Sequence, residues 1–127
     1  MSHSALDIVT RFLSAALNQD WDTALPLLTN DCEYSNVPVG TVHGPQAARA
    51  LLEQFLKPTL ENTFVIKNHA VNGDLLFLER VDRHRVQTGW AELPINSVFR
   101  VQDGKLSLIR EYFDVMTLAK QWPVPLA

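Results

Sequence analysis

The chain has little of what marks several common protein classes. Its single cysteine, Cys32, excludes an internal disulfide and a metal site made of cysteines alone. No apolar run approaches the roughly 20 residues that a membrane-spanning helix needs, and no apolar signal segment follows Met1. We therefore expect a soluble, cytoplasmic protein that has no membrane partner.

The chain also lacks an excess of positive charge. With 11 basic and 14 acidic residues its formal net charge is −3, and the basic residues are dispersed. Nothing in this pattern favours binding to nucleic acid or to anionic lipid. Internal repeats and flexible linkers are absent too. A length of 127 residues with 46% hydrophobic content then predicts a single domain over residues 1–127.

What is present begins with the 3.6-residue periodicity of amphipathic helices. Ser4 precedes the first apolar stripe and Asp7 follows three residues later, which is the pattern of a helix N-cap. Pro45 follows Gly44 at another stripe, where proline suits the first helical position. The predicted helices cover about residues 4–19, 20–28 and 44–57, and residues 32–36 form a short extended piece.

From residue 62 the apolar period changes to two, which is typical of strands. The predicted strands are residues 63–71, 75–86, 91–101 and 106–115. Asn72-Gly73 and Asp103-Gly104 between them predict tight hairpins and therefore antiparallel neighbours. Helices followed by such a meander predict an α+β fold, with N-terminal helices packed on a strongly curved, mostly antiparallel sheet.

Three ionisable side chains alternate along the second predicted strand. Arg80, Asp82 and His84 share one face of it, because side chains point to opposite faces in turn. If that face lines a closed pocket, an acid and a guanidinium lie roughly 6.5 to 7 Å apart at their Cα atoms, where charge is costly unless it is paired. If the face meets water, the pattern carries no function.

Two further positions bring polar groups that could join such a pocket. On the last predicted strand the carboxyl group of Glu111 lies between the apolar side chains of Ile109 and Phe113 on one face. On the extended piece, Tyr34 and Asn36 also share a face. A hydroxyl and an amide together can hold one water molecule through both donors and acceptors.

In this order and at these separations, the segments EYSN (33–36), ERVD (79–82) and REYFD (110–114) resemble the limonene-1,2-epoxide hydrolase family. That family belongs to a SnoaL-like, cystatin-like cone group, which also holds ketosteroid isomerase and nuclear transport factor relatives. The likeness runs over nearly the whole chain. It implies a cystatin-like or nuclear-transport-factor-like cone and a homodimer formed across the open face of the sheet.

The resemblance also implies a reaction: one-step, cofactor-free hydrolysis of a small or medium apolar epoxide to a vicinal diol, without a metal or a covalent intermediate. In that scheme Glu111 activates the water, Asp82 protonates the epoxide oxygen, Arg80 bridges the two, and Tyr34 and Asn36 position the water. The chemistry requires a base and an acid that coexist near neutral pH.

The resemblance further implies a set of substrate-binding residues, most of which core packing explains equally well. They are Phe55, Leu56, Leu78, His84, Trp90, Leu93, Ile95, Ile109, Phe113 and Leu126. Where the family commonly has tryptophan-arginine-aspartate, this chain has Ile109-Arg110-Glu111, so the expected base carries one more methylene. His84 stands where an apolar residue is usual, and we expect either a rim residue bonded to Asp82 or to water, or a second proton carrier.

Two other function classes remain open. In an isomerase or cyclase, Glu111 or Asp82 would move a proton at carbon while Tyr34 stabilises an enolate. In a non-catalytic protein, the pocket would only bind an apolar ligand. A divalent metal on His84, Asp82 and Glu111 is disfavoured because the usual non-haem iron set needs two histidines and one carboxylate, so no metal is expected.

Overall fold

The computed structural model describes residues 4–122. The helices are α1 (Ala5–Leu17), α2 (Trp21–Ala24), α3 (Pro45–Leu56) and α4 (Val115–Ala119), and the strands are β1 (Leu28–Asn36), β2 (Gly40–His43), β3 (Glu61–Asn72), β4 (Leu75–Val86), β5 (Gly89–Gln102) and β6 (Lys105–Tyr112). Among these residues, no helix combines the length and the apolarity that crossing a bilayer requires.

Helix α1 forms as its sequence pattern predicts. The Ser4 hydroxyl accepts a hydrogen bond of 3.1 Å from the backbone N–H of Asp7, which satisfies one of the free donors at the helix start. The apolar stripe, which includes Val9, Phe12 and Leu13, is buried. The helix therefore lies with one face against the interior of the molecule.

The second predicted helix is shorter than expected. It ends at Ala24, and Pro26 falls in a 3₁₀ turn before Leu28 opens β1. Proline lacks the N–H that a continuing helix needs, and its ring clashes with the preceding turn, so the prediction that Leu28 belongs to the helix was wrong. As a result β1 begins four residues earlier than the predicted extended piece. Strand β2 was not predicted.

The third helix begins where the sequence indicates. Gly44 precedes Pro45 with φ of 88°, a backbone conformation that favours glycine. A side chain at this position would also press on the carbonyl oxygen of Asn30, at 3.3 Å from the added Cβ. Helix α3 therefore begins where the chain passes close to the backbone of β1.

The strands form one sheet in the order β2-β1-β6-β5-β4-β3 within the described residues. Strands β3 to β6 are an antiparallel meander, and β1 pairs with β6 in parallel. The mostly antiparallel α+β prediction is confirmed. The hairpin at Asp103-Gly104 has positive φ at both residues, as a tight turn requires. The other hairpin turns at Gly73-Asp74, because Asn72 still pairs with Leu75.

The last strand is shorter than the predicted residues 106–115. It ends at Tyr112 because the Asp114 side chain caps α4, accepting from the backbone N–H of Thr117 at 2.9 Å. Helix α4 was not predicted.

The apolar core has two parts, which meet at the inner face of the sheet. The first packs α1 and α2 on β1, β6 and the start of β4, with Phe12, Phe99 and Ile109 among its fully buried members. The second gathers the β4–β5 hairpin and α4, and includes Leu93 and Trp122. The polar residues described next lie where the two parts meet.

Candidate active site

The inner face of β4 carries both apolar and charged side chains, as its alternation predicts. Its inward positions are all buried, and Arg80 and Asp82 are 3% and 4% exposed. Their face therefore looks into the molecule and not into water. Charged groups at this depth are found only where they are paired or used.

The guanidinium of Arg80 bridges two carboxylates. Its Nε and Nη2 donate to Asp82 Oδ1 and Oδ2 at 2.7 and 3.2 Å. Its Nη1 and Nη2 donate to Glu111 Oε2 and Oε1 at 3.0 and 3.1 Å. Each carboxylate is held by both of its oxygens, so three side chains from β4 and β6 form one hydrogen-bonded network.

The network is charged. Burial opposes the charge on Arg80, but the negative charges of Glu111 and Asp82 outweigh it and raise the pKa of Arg80 above its ordinary value. The guanidinium is therefore a permanent cation here, and it lies between the two carboxyl groups.

Ser97 belongs to the same network, which sequence reasoning missed. It lies on β5 directly opposite Glu111. Its hydroxyl accepts from Arg80 Nη1 at 2.6 Å and donates to Glu111 Oε2. The alternation of side chains along β5 could have indicated Ser97. It is the one polar residue among the inward positions, which are otherwise Ala91, Leu93, Ile95 and Phe99.

Strand β1 brings Tyr34 and Asn36 to the same place. Asn36 is the parallel partner of Glu111, and both β1 side chains line the pocket above the network. Burial, followed by the negative charge of Glu111, raises the pKa of Tyr34 well above its ordinary value. The phenol therefore keeps its proton and can donate a hydrogen bond into the pocket.

The pocket above the network is narrow and mostly apolar. The space inside it that is open to water-sized spheres is about 40 Å³, enough for roughly three water molecules at 10 to 15 Å³ each. Its walls are Phe12, Leu13, Ala16, Leu17, Leu52, Phe55, Leu93, Ile95 and Phe113, and its polar lining is Tyr34, Asn36, Arg80, Asp82 and Glu111. All five residues expected to do chemistry are thus brought together.

The expected substrate-binding residues divide between the pocket and other places. Phe55, Leu93, Ile95 and Phe113 line it, whereas Leu56, Leu78, His84, Trp90 and Ile109 do not. Leu126 lies outside the described residues. The walls that the sequence did not indicate come from α1 and from Leu52 on α3. Which helix residues face the sheet depends on packing between distant segments, and no local pattern reveals that packing.

Each displaced residue has a physical reason for its position. Leu78 and Ile109 are 2% and 0% exposed and pack in the first core. Leu56 is fully buried at the end of α3. Trp90 is 41% exposed and lies against the guanidinium of Arg83, with 4.7 Å between the guanidinium carbon and the ring centre. These residues do not line this pocket, and their contact with a ligand stays a prediction.

His84 is neither a rim residue nor a partner of Asp82. It is fully buried, and its Nδ1 lies 2.7 Å from the side-chain oxygen of Asn62. The rings of Phe55 and Trp122 pack against the imidazole in edge-to-face geometry, with ring centres 5.4 and 5.2 Å from its centre. Burial, followed by the positive charge of Arg80, lowers the pKa of His84 to about 4, so the ring is neutral near pH 7.

Over residues 4–122, no group of three or more histidine, cysteine, aspartate or glutamate side chains is arranged to hold a metal ion. Asp82 and Glu111 both turn their oxygens to Arg80, while His84 turns Nδ1 to Asn62. The three candidate ligands considered from the sequence therefore do not point at a common centre.

Comparisons with known proteins find related sequences and structures. The model of the limonene-1,2-epoxide hydrolase catalytic domain family matches residues 3–124. Epoxide hydrolase EphG of Mycobacterium tuberculosis (strain ATCC 25618 / H37Rv) is 31% identical over 114 residues, which cover 88% of this chain and 74% of the relative.

Two solved structures are also similar. An M. tuberculosis limonene-epoxide-hydrolase-like epoxide hydrolase superposes with a TM-score of 0.76 at 29% identity, over 90% of this chain and 85% of the other. A Catenulispora acidiphila protein with a ketosteroid isomerase-like fold superposes with a TM-score of 0.83 at 16% identity, over 96% of each chain. The second likeness concerns the fold alone, and it confirms the expected cone.

Proposed function

We propose that this chain, an epoxide hydrolase that belongs to the limonene-1,2-epoxide hydrolase family, adds water to a small or medium apolar epoxide in one step and releases a vicinal diol. The single observation that carries this proposal is the bridge from Arg80 to both Asp82 and Glu111 at the floor of an apolar pocket.

The bridge suits a reaction that moves two protons. With both carboxylates ionised, the three groups would carry one net negative charge in a buried place, and one added proton would remove it. In epoxide opening, Asp82 gives its proton to the leaving oxygen while Glu111 takes a proton from the attacking water. A proton then passes from Glu111 back to Asp82, which restores acid and base for the next turnover.

The hydrogen bonds distinguish the two carboxyl groups. Among residues 4–122, Glu111 accepts three, from Nη1 and Nη2 of Arg80 and from Ser97, whereas Asp82 accepts two, both from Arg80. The additional bond from Ser97 holds the Glu111 carboxylate in place, and Asn36, which is expected to position the water, is the parallel partner of Glu111 on β1. We therefore assign the base to Glu111 and the acid to Asp82.

The attacking water has a defined place in this proposal. Within residues 4–122, Glu111 Oε1 accepts one hydrogen bond, from Arg80 Nη2, and a carboxylate oxygen can accept a second. Tyr34 supplies a hydroxyl and Asn36 an amide on the same side of the pocket. Together they can hold a water molecule whose proton points at Glu111.

The pocket supports a preference for compact apolar epoxides. Its walls are aliphatic and aromatic, and the space of about 40 Å³ admits little without movement of the wall side chains. Apolar walls also keep bulk water from the network, which strengthens its electrostatic interactions. An epoxide with a small alkyl or cycloalkyl group fits this environment best.

We also propose that two copies associate through the outer face of the sheet. That face carries exposed apolar side chains, including Phe77 at 41% and Tyr112 at 44% exposure, which border one shallow groove. Covering such a patch is favourable. Light scattering that finds only monomers at micromolar concentration would contradict the homodimer.

The cytoplasmic location of the protein stays a prediction.

The activity is tested with a panel of terminal and cyclic apolar epoxides between pH 5 and pH 9. We expect turnover to the vicinal diol, measured by chromatography against authentic diols, with the smaller members favoured. No turnover on any member would contradict the proposal.

Two further assays distinguish the alternatives considered from the sequence. Solvent deuterium incorporated at carbon in a cyclic ketone would indicate an isomerase. Ligand affinity without any turnover, unchanged in Glu111→Gln, would indicate a binding protein.

A further inference from the structure

We propose that Ser97 is a positioning residue, which sets the orientation of the Glu111 carboxylate and decides which of its oxygens receives the water proton. This inference rests on the proposed function. Ser97 itself does not line the pocket, so it acts through Glu111 and not on the substrate.

The direction of each hydrogen bond follows from the chemistry of the groups. A guanidinium can only donate, so the Ser97 oxygen must accept from Arg80 Nη1. The hydroxyl has one hydrogen, and that hydrogen is then available for Glu111 Oε2, which lies within bonding distance. Ser97 thus closes a ring of Arg80, Ser97 and Glu111 in which every donor has an acceptor.

The ring makes the two oxygens of Glu111 inequivalent. Oε2 accepts from both Arg80 Nη1 and Ser97, whereas Oε1 accepts from Arg80 Nη2 alone among the residues that the structure describes. The unused acceptor position therefore lies on Oε1. Without Ser97 the two oxygens would each accept one hydrogen bond from Arg80, and nothing in the network would select between them.

The glutamate side chain needs this restraint. Its terminal torsion is broad and roughly two-fold, unlike the staggered torsions before it. Arg80 alone can follow a rotating carboxylate, because its own side chain is long. Ser97 is short, is 2% exposed, and is anchored on the strand that faces Glu111, so it fixes the carboxylate to the sheet itself.

The test compares Ser97→Ala with the matched variant Ser107→Ala. Ser107 lies on β6, and its hydroxyl is buried without a hydrogen-bond partner among residues 4–122. Each variant loses one hydroxyl from the same sheet. For an epoxide that the unaltered protein hydrolyses, we expect Ser97→Ala to lower kcat by about 10- to 100-fold, as misplacement on the order of 1 Å does. The KM of Ser97→Ala should stay within about twofold of that of the unaltered protein, because the pocket walls are unchanged.

A crystal structure of Ser97→Ala supplies a readout that does not need turnover. We expect the Glu111 carboxylate to rotate or to shift by more than about 0.5 Å, a tolerance typical of productive site geometry. An unmoved carboxylate would overturn the proposal. So would a kcat within twofold of the unaltered protein, or an equal fall in Ser107→Ala.

The outcome separates the two proposals. If the unaltered protein hydrolyses no epoxide, the proposed function fails, and the carboxylate position in the variant still decides whether Ser97 positions Glu111. If the unaltered protein is active and Ser97→Ala matches it, only the inference about Ser97 fails.

Discussion

Two polar sites lie on the same face of β4, two residues apart, and they differ in almost every physical respect. Arg80 and Asp82 belong to a network in which each charged group has an oppositely charged partner. His84 has one hydrogen bond, to Asn62, and its Nε2 has no partner in the part of the chain that the structure describes. Alternation along a strand therefore predicts a shared face but not a shared environment.

The difference comes from what the other elements bring to each site. Strands β5 and β6 place Ser97 and Glu111 beside Arg80. Helix α3 and the segment after α4 place the rings of Phe55 and Trp122 beside His84. Charge is thus retained in the first site and suppressed in the second, as the raised pKa of Arg80 and the lowered pKa of His84 indicate.

The largest expected difference between the two sites is in catalysis. Glu111→Gln removes the proposed base and should lower kcat by about 10²- to 10⁴-fold, measured on the best epoxide of the panel. His84→Gln, assayed well below its melting temperature, should change kcat by less than about threefold, since His84 is outside the pocket wall. Equal losses in the two variants would remove the distinction.

Stability gives the next contrast. Arg80→Met leaves two carboxylates buried without a cation and should lower the free energy of unfolding by about 3 to 5 kcal/mol, measured by urea denaturation at pH 7. Arg83 lies on the opposite face of β4, where it forms an exposed ion pair with Glu92 at 3.4 Å. Arg83→Met removes this pair and should lower the free energy of unfolding by less than about 1 kcal/mol. A small loss for Arg80→Met would mean that the network is more solvated than its burial indicates.

Acid should lower the stability of the protein through His84. The pKa of His84 is about 4 in the fold against an ordinary 6.5, so the unfolded chain binds a proton between these values that the folded chain does not. Stability should therefore be highest above about pH 6.5 and fall as the pH drops toward 4, by on the order of 3 kcal/mol in all.

Matched variants isolate this contribution by comparing unfolding free energies at pH 7 and pH 4.5. His84→Gln should lose much of the difference between the two pH values, whereas His69→Gln, at an exposed position, should keep it. The same pH dependence in both variants would show that His84 is not its source.

The smallest expected effect concerns the part of the pocket wall that α3 supplies. Leu52→Ala widens the pocket on the α3 side and leaves the ring packing around His84 intact. The ratio of kcat/KM for a bulkier epoxide to that for a smaller one should rise about tenfold, as methylene-sized changes typically do. Leu51→Ala on the same helix, outside the pocket lining, should leave the ratio unchanged.

Much of the fold follows from local sequence signals. The cap at Ser4, the proline at the start of α3 and the Asp103-Gly104 hairpin each act within a few residues, so their patterns predict structure directly. The inward face of β4 follows from alternation in the same way. Strand β2 and helix α4 were missed because both are short and carry no extended apolar pattern.

The site depends on register, which local patterns do not give. A β-bulge shifts the pairing of β5 with β6 between Arg100 and Val101, and beyond it Glu111 lies opposite Ser97. With the unshifted register of the turn, Glu111 would face Asn96. The proposed role of Ser97 and the aromatic surroundings of His84 both depend on contacts between distant segments, and the sequence could not show either.

The most direct test of the central assignment is a single turnover in ¹⁸O-labelled water, with the protein in excess over an epoxide that it hydrolyses. If Glu111 activates water that attacks the epoxide directly, every diol molecule formed in that first turnover carries one ¹⁸O atom. An unlabelled diol would mean that an oxygen atom of the protein attacked first, and it would contradict the roles assigned to Asp82, Arg80 and Glu111.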